Sequence, residues 1–158
     1  MAVWGSARRG DSPAQVHGRD PCRSYARSTL APVLAAAVDE TAIIVPVPLH
    51  WWRRFRRGYD HAWLLAIHAC AFAGIARPLP VLRRVRGSPA QSTLRASERW
   101  ENVREAFALR RNADVSGRTV ILVDDVVTTG ATLAAAAVPL RRAGAASIIG
   151  VALARSEG

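Results

Sequence analysis

Thr119-Val120-Ile121-Leu122-Val123-Asp124-Asp125-Val126-Val127-Thr128-Thr129-Gly130-Ala131-Thr132 divides into three chemistries. The first five residues are apolar or β-branched without interruption, which is what a strand buried on both faces needs. Asp124 and Asp125 follow at its end. Two adjacent carboxylates beside a buried strand are costly unless hydroxyl donors or a divalent metal offset their repulsion and desolvation. The last part supplies such groups: Thr128, Thr129 and Thr132 carry hydroxyls, and Gly130 lets the backbone approach a ligand closely. A helix starting here would also turn its unpaired N–H groups and positive dipole end on the same place, as a cradle for phosphate. Acids able to bind a diol beside a phosphate cradle describe a ribose 5-phosphate site. The plainer alternative is a strand whose two exposed acids cap the next helix, but the whole pattern favours the site.

Working outward, residues 131–143 read as a helix ended by Gly144, and 147–153 as a further strand. Upstream, Leu30, Val33, Leu34 and Val38 recur at helical spacing with Pro32 in a first turn. Ile43-Ile44-Val45-Pro46-Val47 is a short strand in which Pro46 must fall at the end. Residues 58–73 form a long apolar helix stopped by Gly74, Pro80-Val81-Leu82 a brief strand, and Ser97 caps a helix running to Arg104. Strands alternating with helices imply βαβ units: an α/β fold with a parallel sheet and functional groups at the strands' carboxyl ends. Residues 1–28 mix Gly, Ser, Arg and Pro with isolated apolar positions, so a disordered basic arm is expected before one domain spanning 29–158.

Composition closes several routes. All 22 basic residues of the 158 are arginine. Without lysine there is no Schiff-base lysine and no P-loop, whose signature needs one. The missing lysines and 30 alanines read most simply as a coding bias. Cys22 and Cys70 are far apart and have no partner at metal-ligand spacing, which excludes a zinc site or disulfide framework and fits a reducing cytoplasm. No run reaches the roughly 18 apolar residues of a membrane span; residues 62–76 come nearest and carry His68. The N-terminus lacks the apolar core of a signal peptide. A G-x-G-x-x-G fingerprint is absent too, which argues against a dinucleotide-binding dehydrogenase. Five arginines and two aspartates give the arm +3 of the net +10, leaving +7 on residues 29–158.

Two further clusters follow strands. Leu49-His50-Trp51-Trp52-Arg53-Arg54-Phe55-Arg56-Arg57-Gly58-Tyr59-Asp60-His61 leaves the first strand, and guanidinium groups there can bind pyrophosphate or nucleic-acid phosphates. Most of those arginines are expected to be solvated, with one or two facing the site. Arg83-Arg84-Val85-Arg86-Gly87-Ser88-Pro89-Ala90-Gln91 follows the brief strand. His50 and His61 are expected to be surface or packing histidines before general bases, one of Trp51 and Trp52 to be core, and Cys70 a buried small hydrophobe.

The acid-threonine stretch resembles the phosphoribosyl pyrophosphate motif of type I phosphoribosyltransferases. Adding Pro46-Val47-Pro48-Leu49-His50, the series Arg84, Arg86, Ser88, Gln91, and the series Arg99, Asn102, Val103, Ala106, Phe107, the sequence resembles the competence-associated ComF family over residues 43–154. That resemblance implies a three-layer, Rossmann-like phosphoribosyltransferase fold. It implies Asp124 and Asp125 as catalytic carboxylates on the ribose hydroxyls, and Val126, Val127, Thr128, Thr129, Gly130, Ala131 and Thr132 around the 5-phosphate. Leu49, His50, Arg53, Arg57, Arg84, Arg86 and Gln91 become pyrophosphate or substrate candidates, and 87–101 a loop closing over them. Magnesium is the implied cofactor, held mainly by the ligand with Asp124 and Asp125 as candidate contacts. The implied ligand is phosphoribosyl pyrophosphate or a nucleotide containing ribose 5-phosphate, and the implied reaction is phosphoribosyl transfer. The rival reading is a non-catalytic module acting in DNA uptake or nucleotide-dependent regulation, with single-stranded DNA and a second copy of the chain as candidate partners. The family's usual R-G-F-N-Q stands here as Arg57-Gly58-Tyr59-Asp60-His61, which puts an acid and an imidazole where two amides are usual. Its four-cysteine zinc module is expected to be missing, in a short member or a fragment.

Overall fold

Side chains alternate across a strand, and here both sets are apolar. In the computed structural model, which describes residues 21–48, 60–85 and 106–155, strand β1 (Ile43–Pro46) turns Ile43 and Val45 to one core and Ile44 to another. Two strands pair with each other away from it, β2 (Leu82–Arg84) and β3 (Phe107–Leu109), in antiparallel register. Strand β4 (Thr119–Val127) divides as β1 does, Val120 and Leu122 to the first core, Ile121 and Val123 to the second. It lies between β1 and β5 (Ser147–Arg155) in a parallel three-stranded sheet, with Ile44, Ile121 and Ile149 in register.

Helices cover both faces. On one lie α1 (Pro21–Tyr25), a π-helical turn (Ala26–Leu30), α2 (Ala31–Ala37) and α3 (His61–Ala73), burying Leu30, Leu34, Leu65, Ala66 and Ala69 against Ile44, Ile121 and Val123. On the other lie the β2–β3 pair and α4 (Ala131–Arg142), whose Leu133, Ala136 and Leu140 pack on Val120 and Leu122. The architecture is the expected α/β one in three layers. Alanine is more than composition here: Ala135, Ala136 and Ala137 are all buried in α4, so that helix sits close to the sheet. A Cβ added at Gly150 would come 3.2 Å from Leu133 Cδ1.

Several boundaries differ from the sequence reading. Residues 21–28, assigned to the arm, are helical, because Ala26, Leu30 and Leu34 form a buried row against α3. Helix α3 starts three residues later than read, with the Asp60 carboxylate accepting from the Trp63 N–H at 3.2 Å. It stops at Gly74 as expected, in the left-handed conformation. The brief strand lies at β2, two residues beyond Pro80; β4 runs four residues past Val123 and β5 two past Leu153. Strand β3 was not read. Residues 1–20 and the helix expected at 97–104 lie outside the described residues.

The amino edge of the sheet is tied by Asp39. Its carboxylate accepts from the Thr41 N–H at 2.8 Å, the Thr41 hydroxyl at 2.7 Å and the Thr119 hydroxyl at 2.9 Å. Those bonds, the Thr41 hydroxyl foremost, hold its carboxyl below the ordinary 3.8. A carboxyl lowered by folding contributes stability above its unfolded value, and that contribution is lost as pH falls through the folded one. Asp39→Ala is therefore expected to melt below the wild type at neutral pH. Melting curves taken into strong acid should show the two converge; a deficit independent of pH would contradict this account.

Candidate functional site

Parallel pairing collects the carboxyl ends of β1, β4 and β5 at one edge. Pro46 is opposite Val123, the Val47 N–H donates to the Val123 carbonyl at 2.8 Å, and Val127 is opposite Arg155. The N-caps of α3 and α4, Asp60 and Gly130, follow the same strand ends in the chain.

Asp124 is 8% exposed, whereas Asp125 is half-buried. Each carboxylate accepts from the next N–H along the chain, Asp125 N–H to Asp124 at 2.9 Å and Val126 N–H to Asp125 at 2.8 Å. Burial above all, then the neighbouring charge of Asp125, pushes the Asp124 carboxyl up to about 7, and Asp60 adds to the effect. The fold therefore holds a carboxyl that is costly to ionise, at a place where a diol or a cation would relieve the cost.

The cradle lies directly downstream. Thr128, Thr129 and Thr132 are exposed. Gly130 takes φ +78°, and nothing lies within 4 Å of where a Cβ would stand, so the backbone presents open space there. The Ala131 N–H has a long bond to the Thr129 hydroxyl at 3.4 Å, and α4 has no side-chain cap at Gly130. First-turn N–H groups are left to meet an anion. Val126, exposed, and Ala131, half-buried, flank this loop; Val127 turns inward and joins Leu133 and Phe107 in the core beneath it.

That shared core brings the β2–β3 pair to the cradle. Arg84 holds its guanidinium 5.1 Å from the Phe107 ring centroid, while Arg83 on the opposite face donates to the Leu109 carbonyl at 3.4 Å. Of the two described arginines of this segment, Arg84 lies against a ring that shares a core with Val127 and Leu133, and Arg83 serves the strand pair. Leu49, His50, Arg53, Arg57, Arg86 and Gln91 lie outside the described residues, as do Trp51, Trp52 and loop 87–101. His61 opens α3 and Cys70 is buried, its thiol pushed up to about 11 by burial. Two charged groups at this edge were not read as site residues. Asp60 was noted only as a departure from a motif, although an acid just before an apolar helical run signals an N-cap. Arg155 ends the strand beside the acids, and its place depends on register, which only the pairing reveals. Among the described residues no group of three or more His, Cys, Asp or Glu could hold a metal; Asp124 and Asp125 are oxygen donors that a cation at this edge could take. No helix among those residues is long and apolar enough to cross a membrane.

The family model of the phosphoribosyl transferase domain matches residues 65–157. The chain is 38% identical over 114 residues to competence protein F of Haemophilus influenzae, covering 72% of this chain and 50% of that protein. It is 40% identical over 105 residues to the DNA utilization protein YhgH of Salmonella typhi, covering 66% and 45%. With competence protein ComFC of Bacillus subtilis it shares 35% over 119 residues, covering 75% and 46%. The chain spans about half the length of these relatives. Among solved structures, it is similar in fold to the allosteric regulatory enzyme of purine biosynthesis, with a TM-score of 0.52 and 23% identity over 84% of this chain and 25% of that one. A hypoxanthine phosphoribosyltransferase from Staphylococcus aureus gives 0.51 and 10% over 83% and 61%. At these identities the likeness is one of fold.

Proposed function

Because the chain belongs to the phosphoribosyl transferase family, in its competence-associated ComF branch, we propose that it binds phosphoribosyl pyrophosphate and transfers the phosphoribosyl group to an acceptor. The observation that carries this is the sequence of groups along one edge: a buried Asp124, its neighbour Asp125, then an open glycine at an uncapped helix N-terminus. In this reading the two carboxylates accept from the ribose hydroxyls, and the loop from Thr128 to Thr132 takes the 5-phosphate. The bond from C1 to pyrophosphate breaks, pyrophosphate leaves with the electron pair, and a nucleophile bonds to C1 and gives up its proton. Positive charge develops on the ribose ring between those events. Carboxylates fixed beforehand beside the ring stabilise it without reorganising, and a ribose held at both ends needs little further orientation. Arg84, steadied on Phe107, is a candidate partner for pyrophosphate in this reading. Magnesium, when bound, neutralises pyrophosphate charge and suits these oxygen donors. A cytoplasmic location, consistent with two cysteines outside any disulfide, belongs to the same proposal. Calorimetry of the full chain with phosphoribosyl pyrophosphate and magnesium tests binding, and pyrophosphate release with nucleobases or amines tests transfer. Binding without release leaves a ligand-sensing module; no heat of binding sinks both.

A second reading has its own support. The net charge of +10 suits a partner rich in phosphates, and the chain's relatives are named for competence and DNA utilization. In this reading the chain binds DNA, and affinity falls linearly on a log–log plot against salt.

A further inference from the structure

Far from the acid pair, Arg23 and Arg27 stand one helical turn apart and face the same side of the chain. Each guanidinium carbon lies 5.7 Å from the centroid of the Phe72 ring. Like charges at this spacing repel, and among the described residues neither arginine has a carboxylate partner; both stand against the ring. Phe72 itself is 39% exposed, so part of the side chain faces solvent. Ser24 and Ser28 are exposed beside them, and the Ser28 hydroxyl bonds the Ser24 carbonyl at 3.1 Å. The helix row Ala26, Leu30 and Leu34 anchors the arginine-bearing segment in the core, so the patch is carried on packed elements.

Its position separates it from the phosphoribosyl site. Asp60 caps the start of α3 at the acid edge and Phe72 lies near its end, a distance of about 18 Å along the helix at 1.5 Å per residue. One helix thus has a carboxylate cluster at its start and an arginine–aromatic platform near its end. Two arginines whose backbone positions are about 6 Å apart along a helix axis can reach successive phosphates, and an exposed ring offers a surface to a base; stacking combined with basic groups is how single strands are held without sequence preference.

We propose that Arg23, Arg27 and Phe72 form a binding platform for single-stranded nucleic acid. This rests on the second reading above and gives it a surface. The arginines pair with backbone phosphates while a base lies against the exposed part of the ring, leaving the phosphoribosyl site at the far end of α3 accessible.

Anisotropy of a fluorescein-labelled oligothymidine, titrated with the full chain over a salt series, tests it. Arg23→Gln with Arg27→Gln is expected to weaken binding about tenfold at low salt and to make the log–log slope shallower by about 1.4, which is two phosphates at 0.7 each. Phe72→Leu should cost about tenfold with the slope unchanged, as expected for loss of stacking alone. Arg23→Lys with Arg27→Lys keeps the charges and should keep the slope. If the wild type does not bind, the DNA reading itself fails and the platform with it. If the wild type binds and the glutamine variant matches it in affinity and slope, DNA binds elsewhere and the platform alone is refuted. A lysine variant as weak and as flat as the glutamine one would show the arginines to be structural. Equal competition by polyphosphate, which has phosphates and no bases, would also overturn the assignment to nucleic acid.

Discussion

Asp124→Asn is expected to melt several degrees above the wild type at pH 8, and the double variant with Asp125→Asn to show no further shift when phosphoribosyl pyrophosphate and magnesium are added. The first half follows from burial. Folding raises the Asp124 carboxyl from 3.8 to about 7, so between those values the folded chain binds a proton that the unfolded chain has released. Stability therefore falls as pH rises through that window, and above it the full cost of ionising a buried group is present. At 1.36 kcal/mol per pH unit the cost is roughly 4 kcal/mol, and for a domain of this size each 1 kcal/mol moves Tm by about 2–4 °C. Asparagine carries no charge and its carbonyl still accepts from the Asp125 N–H. The stabilisation should shrink steadily towards pH 4.

The second half follows from what the charge is for. A ligand at a hundred times its Kd adds about 2.7 kcal/mol to the stability of a wild-type chain that binds it. Without the two carboxylates the ribose hydroxyls lose their acceptors and the shift should vanish. A variant more stable than its parent and unable to bind cannot be dismissed as unfolded. A wild-type-sized ligand shift in the double variant would sink the site assignment, and an unchanged or lower melting point in Asp124→Asn at pH 8 would sink the account of its burial.

The legibility of this site from sequence has a physical pattern. The strand core from Thr119 to Val123 was readable because burial on both faces leaves an uninterrupted apolar run, and the ends of α3 and α4 because Gly74 and Gly144 take positive φ. The last four residues of β4 were not, since acids and a following turn motif disfavour strand; pairing of Val126 with Ala154 and Val127 with Arg155 overrides that preference. Strand β3 is three residues long and pairs across more than twenty intervening positions with β2, too short and too distant for local pattern to show. The helical stretch from Pro21 to Leu30 was hidden because its fully buried positions begin with Ala26, a residue that marks no face by itself, and it needs Leu65 and Ala69 of α3 to become one. Arg83 and Arg84 looked equivalent as neighbours, and only strand alternation gives one to the ring of Phe107 and the other to a backbone carbonyl.

Ile121→Ala is expected to cost about 2–5 kcal/mol, the range for deleting a buried branched side chain. Ile121 is fully buried on the central strand, in register with Ile44 and Ile149 and packed in the core that holds Leu30, Leu34, Leu65 and Ala66. Three of the elements around it are helical segments whose alanines fill little space, so the lost volume has few long side chains able to swing into it. Against a total stability that for such domains is about 5–15 kcal/mol, that is a substantial share. It should also weaken the phosphoribosyl site indirectly, because the strand it loosens ends on Asp124 and Asp125. Val126→Ala makes the contrast. Val126 is 48% exposed on the same strand, and truncation there should stay within about 0.5 kcal/mol. Urea midpoints for the two variants decide it. A loss below about 1 kcal/mol at Ile121 would mean that the helical layer does not pack on the sheet there, and the row from Ala26 to Leu34 that carries Arg23 and Arg27 would lose its footing as well.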